Sequence, residues 1–470
     1  MGEDQFSLNS QQVKVIVSRF EEMMRNEDYG YFDVIEMEHL IDYYFDDQNF
    51  DNSWKVIEMA VIQHPTSIVF KLKKARHLST MGETDEALTL AEEISKIEPN
   101  NSEVYLIKAD VYSQEDNHKL AIENYKISLS ILEDQEDVLD CIASEYILLS
   151  DYANALHYLK ESLKVNTEND TALNEVGMCF NMLKKHSEGI DYIKEYIDIN
   201  PYSQIAWFNL GYLYSNISEI DKAIEAFDFA IVIEPKFLYA YHQKGYFLSL
   251  QEKFDQALEA YKEASENCSE DPAIYCCIGE CYENKKDFES GLEYYQKAHD
   301  LDPGLSETWV GIGQCYFEIK EYKKSLKTLT EATKLFQDNA NIWCCLAEIQ
   351  YKLLHLEDSR KSYLKSISLD PDIVETWLDL SDTFAYEENF TSALFVINDA
   401  INHDNDIADY HFRKAIYEYC LEKKEDAFNT FEEGLKINPD IFENSRDYCP
   451  EFFNEKKSIS LIQKYTKENN

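Results

Sequence analysis

A spacing of 34 residues recurs along this chain of 470 residues without insertion or deletion. Twelve consecutive copies fit between residues 34 and 441, and we number positions from 1 within each copy. Position 20 is Ala, Gly or Ser in every copy, and position 8 is one of the same three residues in eleven copies. Because helices approach closely only where side chains are short, these paired small positions predict a tight contact between two helices.

Large residues and prolines occupy other fixed positions of the same copies. Four of the five tryptophans stand at position 4, and seven of the nine prolines stand at position 32. Apolar residues at positions 4, 7, 8 and 11 share one face of a first helix, and those at 20, 24 and 27 share one face of a second. Proline cannot continue a helix interior, so it ends the second helix. Each copy is therefore predicted to be a helical hairpin.

The copy that begins at Gln204 carries Trp, Leu-Gly, Tyr, Ala, Phe, Ala and Pro in an order that closely resembles the tetratricopeptide repeat. This resemblance implies an all-α fold, an α-α superhelix or solenoid whose inner face is lined by the first helices. A single hairpin cannot bury its own apolar face, so such an array also needs helical caps. We expect an N-terminal cap over residues 1–33, twelve repeats over 34–441 and a C-terminal capping helix over 442–470.

Apolar residues in both tails fit these caps. The N-terminal tail offers one helical stripe, and the C-terminal tail offers several large side chains to the last repeat. The residues are Val13, Val17, Phe20 and Met24 in the first tail, and Phe452, Phe453, Ile459, Leu461, Ile462 and Tyr465 in the second.

The chain has a net charge of −46, from 44 Lys and Arg against 90 Asp and Glu, spread along its length. Such a field repels phosphate backbones and anionic membrane surfaces, so we expect neither nucleic acid nor a membrane as a partner. A basic protein is the better expectation, although acidity also keeps a large exposed surface soluble. The first residues lack a signal peptide, and no stretch of about 18 apolar residues occurs. We therefore expect a cytoplasmic protein, and the Asn-, Ile-, Lys- and Tyr-rich composition favours a bacterial source.

The sequence lacks familiar catalytic motifs. No glycine-rich phosphate loop, HExxH or GxSxG element occurs, so we expect neither an enzyme active site nor a cofactor. The eleven cysteines follow the phase of the repeats: the doublets Cys276-Cys277 and Cys344-Cys345 both stand at positions 5 and 6. We interpret them as small apolar residues and not as zinc ligands.

By the resemblance, positions 2, 5, 6, 9, 12 and 13 line a concave surface that takes up a peptide or a partner helix. In the sixth and seventh repeats they form an aromatic stretch: Phe208, Asn209, Tyr212, Asn216, Tyr239, His242, Gln243 and Tyr246. In the later repeats they form an acidic track: Glu280, Glu307, Glu318, Glu348, Glu375, Asp379, Asp382 and Asp409. A basic ligand would relieve the repulsion between these carboxylates, and the aromatic residues would add affinity. The alternative is a merely solvated helix face.

A basic patch in the second repeat reverses the sign of the surface. It consists of Lys71, Lys73, Lys74 and Arg76 and lies beside Glu38, Asp42 and Asp46 of the first repeat. We interpret it as a set of salt bridges between helices. The carboxylate clamp of chaperone-binding family members is absent, because Asp42 and Ile107 stand where that clamp needs other residues.

These observations predict a non-catalytic scaffold or adaptor that binds a basic or amphipathic segment of a partner protein. One alternative is an assembly chaperone for a highly basic client such as a ribosomal protein. Another is a regulatory subunit of a separate enzyme. The sequence is also compatible with a homo-oligomer, and it does not name the partner.

Overall fold

The computed structural model describes residues 10–26, 30–132 and 135–467, which form helices joined by short turns, with no strand in these ranges. The first helix, α1, spans Ser10–Arg25. Twelve helical hairpins follow: α2 Val34–Asp46, α3 Phe50–Gln63, α4 Ile68–Thr80, α5 Thr84–Ile97, α6 Ser102–Gln114, α7 His118–Leu129, α8 Glu136–Leu148, α9 Tyr152–Val165, α10 Asp170–Met182, α11 His186–Ile199, α12 Gln204–Asn216, α13 Ile220–Ile233, α14 Leu238–Leu250, α15 Phe254–Asn267, α16 Pro272–Asn284, α17 Phe288–Leu301, α18 Ser306–Glu318, α19 Tyr322–Leu335, α20 Ala340–Lys352, α21 Leu356–Leu369, α22 Val374–Ala385, α23 Phe390–His403, α24 Ala408–Cys420 and α25 Lys424–Ile437. A 3-10 helix, Ile441–Tyr448, then precedes α26, Pro450–Phe453, and α27, Lys456–Lys467.

The hairpins group into two compact units. The N-terminal unit is Met1–Ile233, and the C-terminal unit is Glu234–Asn470. The boundary falls after the second helix of the sixth repeat. Within each unit, a second helix packs against the first helix of its own repeat and against the first helix of the next repeat. Each unit is thus a stack of helical hairpins, as expected of an α-α solenoid.

The small residues mark close helix contacts, as the sequence predicts. A Cβ atom on Gly211 would lie 2.6 Å from Cε1 of Phe227, which belongs to the second helix of the same repeat. A Cβ atom on Gly313 would lie 2.7 Å from Cδ2 of Leu329. Contacts this short leave no room for a side chain, so the large residue at position 24 fills the space above the small residue at position 8.

The recurring tryptophan and proline positions are joined by a hydrogen bond. Nε1 of Trp207 donates to the carbonyl oxygen of Pro201 at 2.9 Å, and Nε1 of Trp309 donates to that of Pro303 at 3.0 Å. Each bond ties the start of a first helix to the turn that ends the preceding repeat. The indole ring is largely apolar but has one N–H group that needs an acceptor. The carbonyl group in this turn provides that acceptor.

All twelve turns inside the hairpins use the left-handed backbone region at position 15, a feature that the repeat pattern does not reveal. Eleven of these residues are not glycine, with φ between 55° and 64°, and the twelfth is Gly82, with φ of 79°. In the second repeat, the amide of Glu83 donates to the carbonyl of Leu78 at 2.9 Å across this turn. The pattern is that of a Schellman motif, which closes the first helix of every repeat.

Both tails pack against the hairpins next to them in the chain. In α1, Ile16, Val17 and Phe20 are buried, and the ring centroid of Phe20 lies 5.8 Å from that of Tyr44 in α2. The contact with α2 is made through these residues, so Met24, which we expected on the same stripe, lies beyond it and is exposed.

At the other end, Phe452 and Phe453 are fully buried, with ring centroids 5.3 Å and 5.6 Å from that of Phe431 in α25. Leu461, Ile462 and Tyr465 of α27 pack against the same core. Ile459, also expected in this contact, is exposed.

The basic patch of the second repeat is partly paired, as expected. Lys73 forms an ion pair with Asp42 of the first repeat. Arg76 instead approaches Glu103 of the third repeat, at 3.9 Å. The ammonium nitrogen of Lys74 lies 5.4 Å from the ring centroid of Trp54.

Candidate functional site

The aromatic stretch is divided between the two compact units. In the N-terminal unit Tyr212 is exposed, and Asn216 donates through Nδ2 to the carbonyl of Tyr212 at 2.9 Å. Phe208 is half-buried, with its ring centroid 5.6 Å from that of Phe227. The exposed members of this part are therefore Tyr212 and Asn216.

Asn209 does not lie on an exposed surface, contrary to its expected place in the groove. Its side chain is buried, and its Nδ2 donates to the carbonyl of Leu173 in the preceding repeat at 3.1 Å. It occupies the space that Gly177 leaves, since a Cβ atom on Gly177 would lie 2.7 Å from Asn209 Cγ. Asn209 joins two first helices.

The C-terminal unit contains the rest of the aromatic stretch. Tyr239 and Tyr246 are exposed, at 69% and 46%, whereas Gln243 is half-buried. His242 lies against Cys277 of the next repeat, with 3.7 Å between Nε2 and Sγ. Two tyrosines of this unit are therefore free to contact a ligand.

Carboxylates of the acidic track influence one another from repeat to repeat. Glu280 is exposed, but partial desolvation of its carboxylate raises its pKa, and the charges of Glu283 and Glu307 raise it further. Burial and the charge of Glu318 likewise raise the pKa of Glu283. Glu283 stands at position 12, one helical turn after Glu280, and is a member of the track that we did not single out from the sequence. Its position 12, which lines the inner face, could have identified it from the sequence.

A buried tyrosine supports Glu283 from the core. The hydroxyl of Tyr295, on the second helix of the same repeat, donates to Oε2 of Glu283 at 2.8 Å. The ring of Tyr295 lies against Gly279 and Gly311, where any Cβ atom would collide with it. The absent side chains let a core residue reach the carboxylate of an inner-face residue. The sequence marks Tyr295 only as a packing residue.

The same arrangement recurs at Asp379. Burial is the largest cause that raises the pKa of Asp379, and with the charges of Asp382 and Glu348 it brings that pKa to about 7. The hydroxyl of Tyr363 donates to Asp379 Oδ2 at 3.4 Å and opposes the rise, as does the charge of Arg413. Burial also raises the pKa of Glu348, and the charge of Glu318 adds to it. These carboxylates thus lie close enough to repel one another in a partly desolvated surface.

At the C-terminal end of the acidic track, Arg413 pairs with one of the carboxylates. Arg413 is buried and donates through Nη1 to Asp382, and the hydroxyl of Tyr417 donates to the same carboxylate oxygen at 2.8 Å. The ring centroid of Tyr448, from the 3-10 helix, lies 3.6 Å from Arg413 Cζ. Asp382 is therefore already paired with Arg413 and Tyr417 of the same chain, contrary to its expected role as an acid that faces a ligand.

Asp409 is also only half-buried and lies near Arg413. Burial raises its pKa, the charge of Glu375 adds to this, and Arg413 opposes it. Glu307, Glu318 and Glu375 are exposed. The part of the track that lies outside the Arg413–Asp382 ion pair accordingly extends over α16, α18, α20 and the start of α22, and within it the charge of Lys352 partly offsets the raised pKa of Glu348.

Two negative findings concern the described residues alone. In the ranges given above, no group of three or more His, Cys, Asp or Glu side chains is placed to hold a metal ion. Nor does any helix in those ranges combine the length and apolar character that crossing a lipid bilayer requires.

Structural comparison finds several repeat proteins of similar fold. The yeast Tom70 structure is 13% identical, covers 92% of this chain and 95% of its own, and has a TM-score of 0.46. A tetratricopeptide repeat protein from Parabacteroides merdae is 13% identical over 53% of this chain and 98% of its own, with a TM-score of 0.40. YrrB, described as having an unusual peptide-binding site, is 18% identical over 39% and 95%, with a TM-score of 0.33.

Family models are more specific than the structural likenesses, because they match the sequence itself. A search of curated proteins found no relative of this chain. Three models described as tetratricopeptide repeat match: one at residues 142–204 and 251–306, another at 192–225 and a third at 285–349. These matches fall within the twelve in-phase hairpins seen in the structure. Residues 142–225 and 251–349 of the chain therefore match tetratricopeptide repeats, as the sequence pattern predicts.

Proposed function

We propose that this chain is a protein-interaction scaffold whose acidic track binds a lysine- or arginine-bearing segment of a partner protein. The observation that supports this most is the succession of carboxylates with raised pKa values at Glu280, Glu283, Glu348 and Asp379. Each of them is ionised at a cost in free energy, because burial and a neighbouring carboxylate both disfavour the charge. A cation brought beside them reduces that cost, and the reduction appears as binding free energy.

Arg413 illustrates the chemistry that such a ligand would reproduce. Its guanidinium pairs with Asp382 and stacks on the ring of Tyr448. Asp379 and Glu348, in the preceding repeats, have the same carboxylate chemistry without an equally close internal arginine. A partner arginine placed there would form charge-assisted hydrogen bonds of the same kind.

The ligand segment is basic or amphipathic because this unit also exposes aromatic side chains. Tyr239 and Tyr246 present large rings to solvent on α14. Tyrosine supplies contact area with little loss of conformational entropy and is common at binding hot spots. In this scheme the carboxylates steer the encounter and set the register, and the rings add affinity.

The test compares the wild-type protein with a track variant and a control variant that lack the same number of carboxylates. The track variant carries Glu318→Gln, Glu348→Gln and Asp379→Asn. The control variant carries Glu289→Gln, Glu357→Gln and Asp399→Asn, which remove the same charge from exposed positions on second helices. An array of basic and amphipathic peptides supplies the best binder, and fluorescence anisotropy gives its Kd for each protein.

We expect the track variant to lose at least about tenfold in affinity, equal to about 1.4 kcal/mol. The control variant should stay within about twofold of the wild type. Replacing Tyr239 and Tyr246 by Ala should weaken the amphipathic peptide more than a purely basic one. Equal losses in the track and control variants would mean that the overall field of the protein binds the peptide, and the proposal would then be wrong.

A further inference from the structure

The N-terminal unit contains a cleft between α3 and the hairpin formed by α4 and α5, with a volume of about 680 Å³. Three aromatic rings line it. The ring centroid of His77 lies 5.2 Å from that of Trp54 and 6.1 Å from that of Phe50. The imidazole is 3% exposed, burial lowers its pKa, and its Nδ1 has no hydrogen-bond partner among the described residues. The aromatic wall therefore carries no positive charge at neutral pH.

Four carboxylates surround this aromatic wall. Asp51 and Glu58 come from α3, Glu83 is the residue just before α5, and Glu86 lies in the first turn of α5; all four are exposed. Within the described residues, none of them forms an ion pair within 4.0 Å. Unpaired carboxylates beside an indole ring attract a cation in two ways, by a cation–π interaction with the ring and by the negative charges of the carboxylates.

The cleft's own cations do not neutralise it. Lys55 lines the cleft, and its Nζ donates to Asn52 at 3.3 Å. Lys74 approaches the Trp54 ring at 5.4 Å and does not line the cleft. Four carboxylates thus outnumber two ammonium groups. Lys74 also shows that this indole ring accepts an ammonium group as a neighbour.

We propose that this cleft is a second protein-binding site, which takes a lysine side chain from a partner. The ammonium group would lie against Trp54 and be held by the carboxylates of Glu83 and Glu86, while the methylene chain packs along Phe50. The volume leaves room for the residues on either side of that lysine, since pockets of this size hold small ligands. The site lies in the N-terminal unit and does not depend on the acidic track.

The experiment reports on Trp54 directly. Full-length protein labelled with 5-fluorotryptophan gives one ¹⁹F signal for each of its five tryptophans, and the signal missing in Trp54→Phe belongs to Trp54. The probe is an acetylated peptide of sequence Gly-Lys-Gly-Lys-Gly, and its control carries Nε-acetylated lysines, which remove only the charge. Single replacements of the other four tryptophans assign Trp54 by elimination if Trp54→Phe fails to fold.

We expect the Trp54 signal to shift and saturate with the lysine peptide and to stay fixed with the acetylated peptide. The pair Glu83→Gln and Glu86→Gln should weaken this binding at least fivefold. The matched pair Glu92→Gln and Glu93→Gln removes the same charge from exposed positions further along α5 and should change the binding less than twofold.

Three results would overturn the proposal: an unmoved Trp54 signal, equal shifts with both peptides, or equal losses in both pairs of variants. Circular dichroism establishes that each variant is folded. Because the signal is local to Trp54, a failure of the acidic track to bind peptide leaves this measurement unaffected.

Discussion

Replacing Asp379 by Asn should stabilise the C-terminal unit much more at pH 8 than at pH 5. Burial, together with the charges of Asp382 and Glu348, raises the pKa of Asp379 to about 7. The Tyr363 hydroxyl and Arg413 act in the opposite direction without cancelling the rise. The ionised side chain is therefore a source of instability in the protein without ligand, and the amide removes it.

The magnitude follows from the difference between the two pKa values. The ordinary value is 3.8 and the folded value is about 7, a difference of roughly 3 units, and one unit corresponds to about 1.4 kcal/mol. Because the folded pKa is the higher one, the stability linked to this group is present at acid pH and is lost as the pH rises through 7. Between pH 5 and pH 8 the loss is at most about 3 kcal/mol. Partial solvent screening reduces this, so we expect the gain from the substitution to be about 1–2 kcal/mol larger at pH 8.

Urea unfolding followed by circular dichroism at the two pH values measures this difference. The control is Asp338→Asn, which removes an exposed carboxylate from the turn between α19 and α20. Hydrogen exchange of the α22 amides shows whether the gain is local, since repeat arrays can unfold in parts. The reasoning is refuted if the gain is equal at both pH values, or if Asp338→Asn shows the same pH dependence.

Three further substitutions test local features. Leu354→Gly should raise stability by about 0.5–1 kcal/mol in thermal melts, because Leu354 has φ of 61° and glycine adopts this region without strain; an unchanged or lower melting temperature would contradict this. Tyr295→Phe keeps the ring but removes the hydrogen bond to Glu283, so urea unfolding at pH 8 should show a loss of about 1–3 kcal/mol, and a loss below about 0.3 kcal/mol would count against the support we assign to this hydroxyl. Arg413→Met leaves Asp382 buried without its cation and should cost about 3–5 kcal/mol in the same assay at pH 8, with most of the loss absent in Arg413→Met combined with Asp382→Asn. A loss that persists in that double variant would indicate that packing, not charge, is responsible.

The repeat period was sufficient to predict the helical hairpins and the close helix contacts at the small residues of position 8. Such contacts join residues within one repeat or in adjacent repeats, so a pattern of side-chain size in the sequence corresponds directly to a pattern of packing. Gly211 beneath Phe227 is one example. The bond from Trp207 to Pro201 is another, because both residues hold fixed positions only six residues apart.

The burial and pairing of individual inner-face side chains could not be predicted in the same way. Asn209 is buried because Gly177 in the preceding repeat leaves it space, and Asp382 is occupied because Arg413 lies one repeat further on. Glu283 depends on a tyrosine hydroxyl that reaches it through the core. The ligand-facing role of the other residues in the acidic track remains a prediction.

The chain's periodicity thus specified its backbone architecture, since twelve similar hairpins satisfy the same apolar pattern in the same way. The charge available to a ligand was settled only when the hairpins stacked, as at Asp382 and Asp379. Stacking brings together residues about 30 positions apart, and burial in that stack sets whether a carboxylate is paired, protonated or free. The packing of the hairpins repeats with the sequence period. The electrostatic environment of each carboxylate, in contrast, depends on which side chains the adjacent repeats place beside it.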